Sequence, residues 1–375
     1  AVCSAAGLHL CPETVLRRVM RGEWALLQLD AHNVAIEHVE GACVHLHTET
    51  RIAGCDIFGA NLLVWTTRQV SIYQFDDSTT PSSPGSSSQP VLVSSFDHRC
   101  TAAAIYKETV FLSAPGRIDV SNFHGSIIAT MPFADSEGTP THIHLAANAK
   151  SCHLVAGTDK GYIKAWEVSR AEPKQHAAGR KLADGTIPAR VSSVSISTDG
   201  ARIAATVDVQ PPAANAGKVG ANAPKGPSLS PWRPDGRLYI FLVNEDVSVA
   251  HDFGATGRVA SAFYWEESDP KLLGVETRPA PSEVMAAAAA AVATGGATPP
   301  PAAAEAAAGV VSSQLEVTTL FCTPEGELQQ QNTFEVQPHL GGLIATRVPH
   351  FYFVAAGAEP TDISDDPAPA SPGGA

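Results

Sequence analysis

Charge is scarce in this chain of 375 residues: Asp, Glu, Lys and Arg together make up 17% of it, against roughly 25% in an average soluble domain. Hydrophobic residues reach 44%, enough to bury a sizeable core, which excludes wholesale disorder. Basic residues are the scarcer sign, 25 against 38 acidic for a net charge of −13, and no basic run offsets the deficit. A field of that sign repels phosphate backbones and anionic headgroups, so no nucleic acid is expected as a partner. No apolar run approaches the roughly 18 residues a membrane span needs, so no membrane insertion is expected. The opening AVCSAAGLHLCPE lacks the basic and apolar regions of a secretion signal, and without an initiator Met it predicts a piece of a longer polypeptide.

Catalytic signatures are also missing. No G-x-S-x-G elbow occurs, which speaks against Ser-His-Asp hydrolase chemistry of the α/β-hydrolase type. No G-x-x-x-x-G-K-[ST] loop occurs either, so ATP is not expected. The seven cysteines, Cys3, Cys11, Cys43, Cys55, Cys100, Cys152 and Cys322, are odd in number and form no C-x-x-C pair; they read as reduced, mostly buried thiols. Two histidine pairs, His45-x-His47 and His142-x-His144, put both rings of each pair on one strand face, because side chains alternate with period two. Zinc accepts such geometry, with His153 as a third ligand, but no Cys or carboxylate stands at ligand spacing. The expectation is no metal and no cofactor. Carboxylate pairs such as Asp76-Asp77 and Glu266-Glu267 read as solvated turns.

What the sequence does have is short runs of alternating β-branched and aromatic residues between Gly, Asp, Ser and Pro clusters, the pattern of an all-β chain. Leu62–Phe75, Val110–Phe123 and Leu154–Val168 each read as two strands joined by a tight polar turn. The first apolar residues after those turns, Val70, Ile118 and Ile163, lie 48 and 45 residues apart. The next equivalents, Leu238 and Leu315, fall 75 and 77 residues further along, and removing a Pro, Ala and Gly-rich insertion before each restores the interval. Recurrence every 40 to 45 residues marks four-stranded propeller blades. Such sheets stack radially to hide two apolar faces each. The expectation is a WD40-like β-propeller of six to seven degenerate blades across residues 24–354, with insertions at 76–90, 210–235 and 277–310. Residues 1–23 are poorly defined and 355–375 read as a linker. The blade-like units are Trp24–His47, Glu49–Phe75, Val91–Met131, Thr139–Val168, Val191–Val249 and Val259–Val336, a seventh requiring the terminal strands or upstream residues.

The segment Val155–Val168, VAGTDKGYIKAWEV, has a small-residue strand, an Asp-x-Gly turn and an alternating strand ending in Trp-Glu. It resembles the WD repeat. The resemblance implies a structural hydrogen-bond network involving Asp159 and Trp166, with Gly161 serving the geometry of the turn; their role is folding, not chemistry. The other hairpins hold Tyr73, Ser121 and Phe241 where Trp166 stands, and Glu137-Gly138 replaces the Gly-His dipeptide, so the repeats are degenerate. Trp232, within SPWRP, is the candidate interaction residue, read as an anchor for a partner or as a residue folding its own loop.

Longer phrases resemble the intraflagellar transport 140 family: RIAGCDIFGANLLVWTTRQVSIYQF from Arg51, GRIDVSNFHGSII from Gly116, LVAGTDKGYIKAWEVSRAEPKQHAAGRK from Leu154, FYWEESDPKLLGV from Phe263 and VPHFYFV from Val348. The resemblance implies most of the second of two N-terminal WD-repeat propellers. It also implies a non-enzymatic scaffold of intraflagellar transport complex A, at the ciliary base, in the cilium or flagellum and in the cytoplasm. Its partners would be the other complex A subunits and cargo adaptors; its work, retrograde transport and the import of membrane cargo into cilia. Two alternatives stand beside it. One is a scaffold of another trafficking complex, and the other is a propeller enzyme using convergent titratable groups in the central channel. A reader of modified peptide tails would need an aromatic cage at the channel mouth, which the sequence does not reveal.

Overall fold

A computed structural model describes residues 17–38, 43–75, 89–170, 172–183, 187–210, 232–280, 315–323 and 326–335, together with the backbone of strands at 2–4, 7–9, 340–347 and 350–355. Strands β1 (Val2–Ser4) and β2 (Gly7–His9) form a short hairpin. Six four-stranded antiparallel sheets follow in chain order. Blade 1 comprises β3 (Arg18–Arg21), β4 (Trp24–Gln28), β5 (Asn33–His38) and β6 (Cys43–His47). Blade 2 comprises β7 (Gly54–Phe58), β8 (Asn61–Trp65), β9 (Gln69–Gln74) and β10 (Val91–Asp97). Blade 3 comprises β11 (Ala103–Tyr106), β12 (Thr109–Ala114), β13 (Arg117–Asn122) and β14 (Ile127–Pro132). Blade 4 comprises β15 (Pro140–Ala147), β16 (Cys152–Thr158), β17 (Tyr162–Glu167) and β18 (Lys174–Lys181). Blade 5 comprises β19 (Ala189–Ile196), β20 (Arg202–Val209), β21 (Arg233–Leu242) and β22 (Val247–Asp252). Blade 6 comprises β23 (Arg258–Trp265), β24 (Leu272–Pro279), β25 (Glu316–Cys322) and β26 (Leu328–Glu335), and a last hairpin pairs β27 (Leu340–Arg347) with β28 (His350–Ala355).

The first strands meet in sequence around an axis. β3 adjoins β7, and contact then passes through β11, β15, β19 and β23 to β27, which returns to β3. Six full blades and one two-stranded hairpin thus form a circular series of neighbours.

Period-two alternation fills the spaces between blades. On β8, Leu62 and Val64 face blade 1, whereas Leu63 and Trp65 face blade 3. Every junction from blade 1 to blade 6 has its own apolar cluster, such as Phe111, Ile118, Met131 and Phe133 of blade 3 against Leu154, Trp166 and Val168 of blade 4. The periodic anchors Val70, Ile118, Ile163 and Leu238 all lie on third strands and are at most 1% exposed. In blade 6 that place belongs to Val317 on β25, two residues after Leu315.

Three boundaries differ from the sequence expectation. Blade 1 starts at Arg18, because its inner strand carries arginines toward the axis. Val91–Asp97 is the outer strand of blade 2, paired with β9, and does not open blade 3. Its Val91, Leu92 and Val93 are 68%, 52% and 47% exposed. Blade 4 runs on past Val168 to β18, whose polar sequence KQHAAGRK conceals a strand. Most of the anticipated insertions fall outside the described residues, as do 356–375, although β21 already includes Arg233–Asp235 and β24 runs through Thr277–Pro279.

Candidate functional site

The WD-like turn joins β16 to β17. Asp159 accepts the backbone N–H of Thr139 on Oδ1 at 2.7 Å, and its own N–H donates to the Thr139 carbonyl at 3.0 Å. The turn is thereby tied to the loop through which the chain enters blade 4. Gly161 has φ +78°, a left-handed conformation that side chains resist. The Thr158 hydroxyl accepts the Tyr162 N–H at 3.1 Å. A side chain on Gly157 would collide with Val191, so the small-residue strand is what lets blade 5 close on blade 4. Trp166 lies at the other end of β17. It is buried, meets Phe133 edge-to-face at 5.4 Å between centroids, and has the Lys164 ammonium 5.8 Å from its ring. Asp159 and Trp166 therefore act at opposite ends of the hairpin and are not brought into contact.

Trp232 is 36% exposed beside the start of β21. The Arg190 guanidinium lies 4.8 Å from its ring centroid and is held there by Asp208, whose Oδ2 accepts from Nε at 3.1 Å and Nη2 at 3.0 Å. The result is an aromatic, cationic and anionic stack on the blade surface, with one indole face against blade 5.

The histidine pairs separate. His142 and His144 both line the axial channel, whereas His153 lies against His176 at 4.8 Å between rings. On outer strand β6, His45 Nε2 is 3.4 Å from Cys43 Sγ and His47 Nδ1 is 2.8 Å from Asn33 Oδ1. Among the described residues, no three His, Cys, Asp or Glu side chains are grouped to hold a metal. Burial, followed by Arg17 and Arg190, pushes His142 down to about 4, and burial with Arg21 pushes His144 to about 3, so both are neutral at pH 7. Glu266 is a correction: it sits at a turn but is 1% exposed, its carboxylate accepting the Ser268 hydroxyl at 2.9 Å and the Asp269 N–H. Asp76-Asp77 lies outside the described residues.

The channel holds two adjoining cavities, of about 600 Å³ toward one mouth and about 250 Å³ inside it. Titratable groups do converge there, a feature invisible in the sequence because Arg18, Asp56, His144 and Glu276 are widely separated along it. They are largely committed to one another. Arg21 Nη2 is 3.4 Å from Asp56 Oδ1, and its Nη1 reaches across to the Leu145 carbonyl of blade 4. Glu276 receives Arg18 at 3.1 Å, Arg278 at 3.0 Å and the Ser261 hydroxyl at 2.8 Å. A carboxylate so occupied is a poor general base. Aromatic Trp24, Phe58, Tyr264 and Trp265 contribute to the wider cavity, although Trp24 and Trp265 are also core residues of their blades.

Radial four-stranded sheets, an axis lined by first strands and a WD-like turn define a β-propeller of the WD-repeat class. A profile described as the IFT140 second beta-propeller matches residues 22–215 and 232–356. The chain belongs to that family. Among solved structures it is similar to Hsv2 of Kluyveromyces lactis, at 9% identity and TM-score 0.48, over 85% of this chain and 86% of that one. It is also similar to the Cps50 (Swd1) beta-propeller domain of Myceliophteria thermophila, at 14% identity and TM-score 0.47, over 70% and 79%. Likeness at this distance bears on neither site nor partner. Among the described residues no helix is long and apolar enough to cross a membrane.

Proposed function

We propose that this propeller is a non-enzymatic docking scaffold within intraflagellar transport complex A, serving retrograde ciliary transport and the import of membrane cargo into cilia. The observation that carries the reading is the family match across both halves of the ring. Its partners are the other subunits of the complex and cargo adaptors, and its place is the ciliary base, the cilium and the cytoplasm. Physical support comes from a body whose apolar residues are spent between blades while its perimeter stays open for contact. In this reading Asp159, Gly161 and Trp166 hold blade 4 in shape, and Trp232, an exposed Trp stacked on Arg, is a docking anchor of the kind that dominates interfaces.

The test is complementation in ciliated cells lacking the family's native protein. Restoring it with this propeller should return cargo from ciliary tips, and restoring it with the propeller deleted should leave complex A incomplete and cargo stalled. Normal transport without the propeller would refute the scaffold role.

A further inference from the structure

Three guanidiniums fall within five residues at the inner strand of blade 1: Arg17 just before β3, then Arg18 and Arg21 upon it. Arg18 is balanced by Glu276, and Arg21 by Asp56 and the Leu145 carbonyl. Arg17 is different. Its guanidinium lies over the Trp65 ring, 5.1 Å from the centroid, and among the described residues no carboxylate comes within ion-pair distance of it. Burial pushes its pKa down, as expected of a cation removed from water.

The groups around Arg17 do not neutralise it by contact. Asp56 is the carboxylate whose charge it feels, but the Asp56 oxygens are engaged by Arg21 at 3.4 Å and by the Ile105 N–H at 3.0 Å. Cys55 and Cys100 also face it, yet burial pushes both thiols up to about 12, so neither supplies negative charge. Arg17 is half-buried, and a partly desolvated cation with no counter-ion among the described residues is unfavourable.

Trp65, whose ring carries the Arg17 guanidinium, is fully buried and borders the same cavity of about 250 Å³, and among the described residues its Nε1–H has no acceptor. A Cβ on Gly54 would collide with both the Trp65 ring and Arg17 Nε, so the glycine makes room for the ring and the guanidinium together. Ser193, Ser195 and His144 line the cavity as well. His144 Nδ1 accepts the Ile196 N–H at 3.3 Å, which puts the imidazole proton on Nε2 as another donor.

We propose that this inner channel cavity is a binding site for one small oxyanion. Arg17 supplies the compensating charge, and His144 and the serine hydroxyls supply directional hydrogen bonds. The anion enters from the wider cavity, which shares Arg21, His144, Ser195 and Tyr264 with the inner one. The proposal is independent of the scaffold role.

Calorimetric titration of the whole chain with sodium phosphate, against sodium chloride of equal ionic strength, tests it, with sulfate and acetate as further arms. One phosphate should bind per chain. At a hundredfold excess over its dissociation constant it should raise the folded-to-unfolded ratio about a hundredfold. Arg17→Met should abolish both effects and be no less stable than the parent in phosphate-free buffer, while Arg17→Lys should retain a weakened response. Absence of binding by all three oxyanions to the parent chain overturns the proposal, whether or not the variants fold, as does an undiminished phosphate response in Arg17→Met.

Discussion

Arg18 of blade 1 and Glu276 of blade 6, 258 residues apart in sequence, meet at 3.1 Å, with the Glu276 side chain fully buried. The pair links the first and last four-stranded sheets directly, where β27 also packs against both. Removing one partner of a buried ion pair leaves the other desolvated and uncompensated. Glu276→Gln should therefore destabilise the chain by about 3 kcal/mol in denaturant unfolding. Arg18→Met combined with Glu276→Leu should recover part of that loss; a Glu276→Gln change within error of the parent would mean the link does not hold the ring.

The two ends of the β16–β17 hairpin should respond unequally. Trp166→Ala removes a buried ring packed on Phe133 and should cost about 3 to 5 kcal/mol. Asp159→Ala loses an exposed hydrogen bond to Thr139 and should cost about 1 kcal/mol. Equal losses would imply that both residues belong to one cooperative network.

Acid should weaken the fold through the channel histidines. The pKa values of His142 and His144 are depressed to about 4 and about 3 in the folded chain, below the unfolded value of about 6.5. Between those limits the unfolded chain binds protons that the folded chain refuses, so stability falls as pH drops from about 6.5 and is fully present above it. The double variant His142→Gln, His144→Gln should lower the pH dependence near pH 5 by up to about two protons. Parallel stability curves for parent and variant would contradict this.

Thiol reactivity should follow burial. Cys55, Cys100 and Cys152 are buried and pushed up to about 12, whereas Cys43 is exposed on β6. The thiolate is the reactive form. In iodoacetamide labelling read by peptide mass spectrometry, Cys43 should be modified in the native chain and the other three only after unfolding. Rapid native labelling of Cys55 would show that the junction between blades 1 and 2 opens.

The blade period was legible because each third strand sets a fully buried apolar residue just after a polar turn, as with Val70, Ile118, Ile163 and Leu238. Inner and outer strands were harder to read for opposite reasons. β3 faces an axial channel, so it carries Arg18 and Arg21 where a buried strand would carry aliphatics. β10 presents an apolar Val91-Leu92-Val93 that reads as the opening of the next blade, yet it is an outer strand and the three are exposed. The WD-like turn was visible from Asp159 and Gly161 because its determinants are local. The channel was not, since Arg17, Trp65 and Glu276 become neighbours of one axis only through ring closure.

Direct binding tests the central claim most sharply: the purified propeller mixed with reconstituted complex A subunits that lack it, followed by size-exclusion chromatography with light scattering. The scaffold account predicts a stoichiometric complex. It also predicts that Trp232→Ala, a half-exposed change expected to shift stability by no more than about 0.5 kcal/mol, weakens that complex without unfolding the ring. A folded propeller that elutes entirely apart from those subunits would contradict the account.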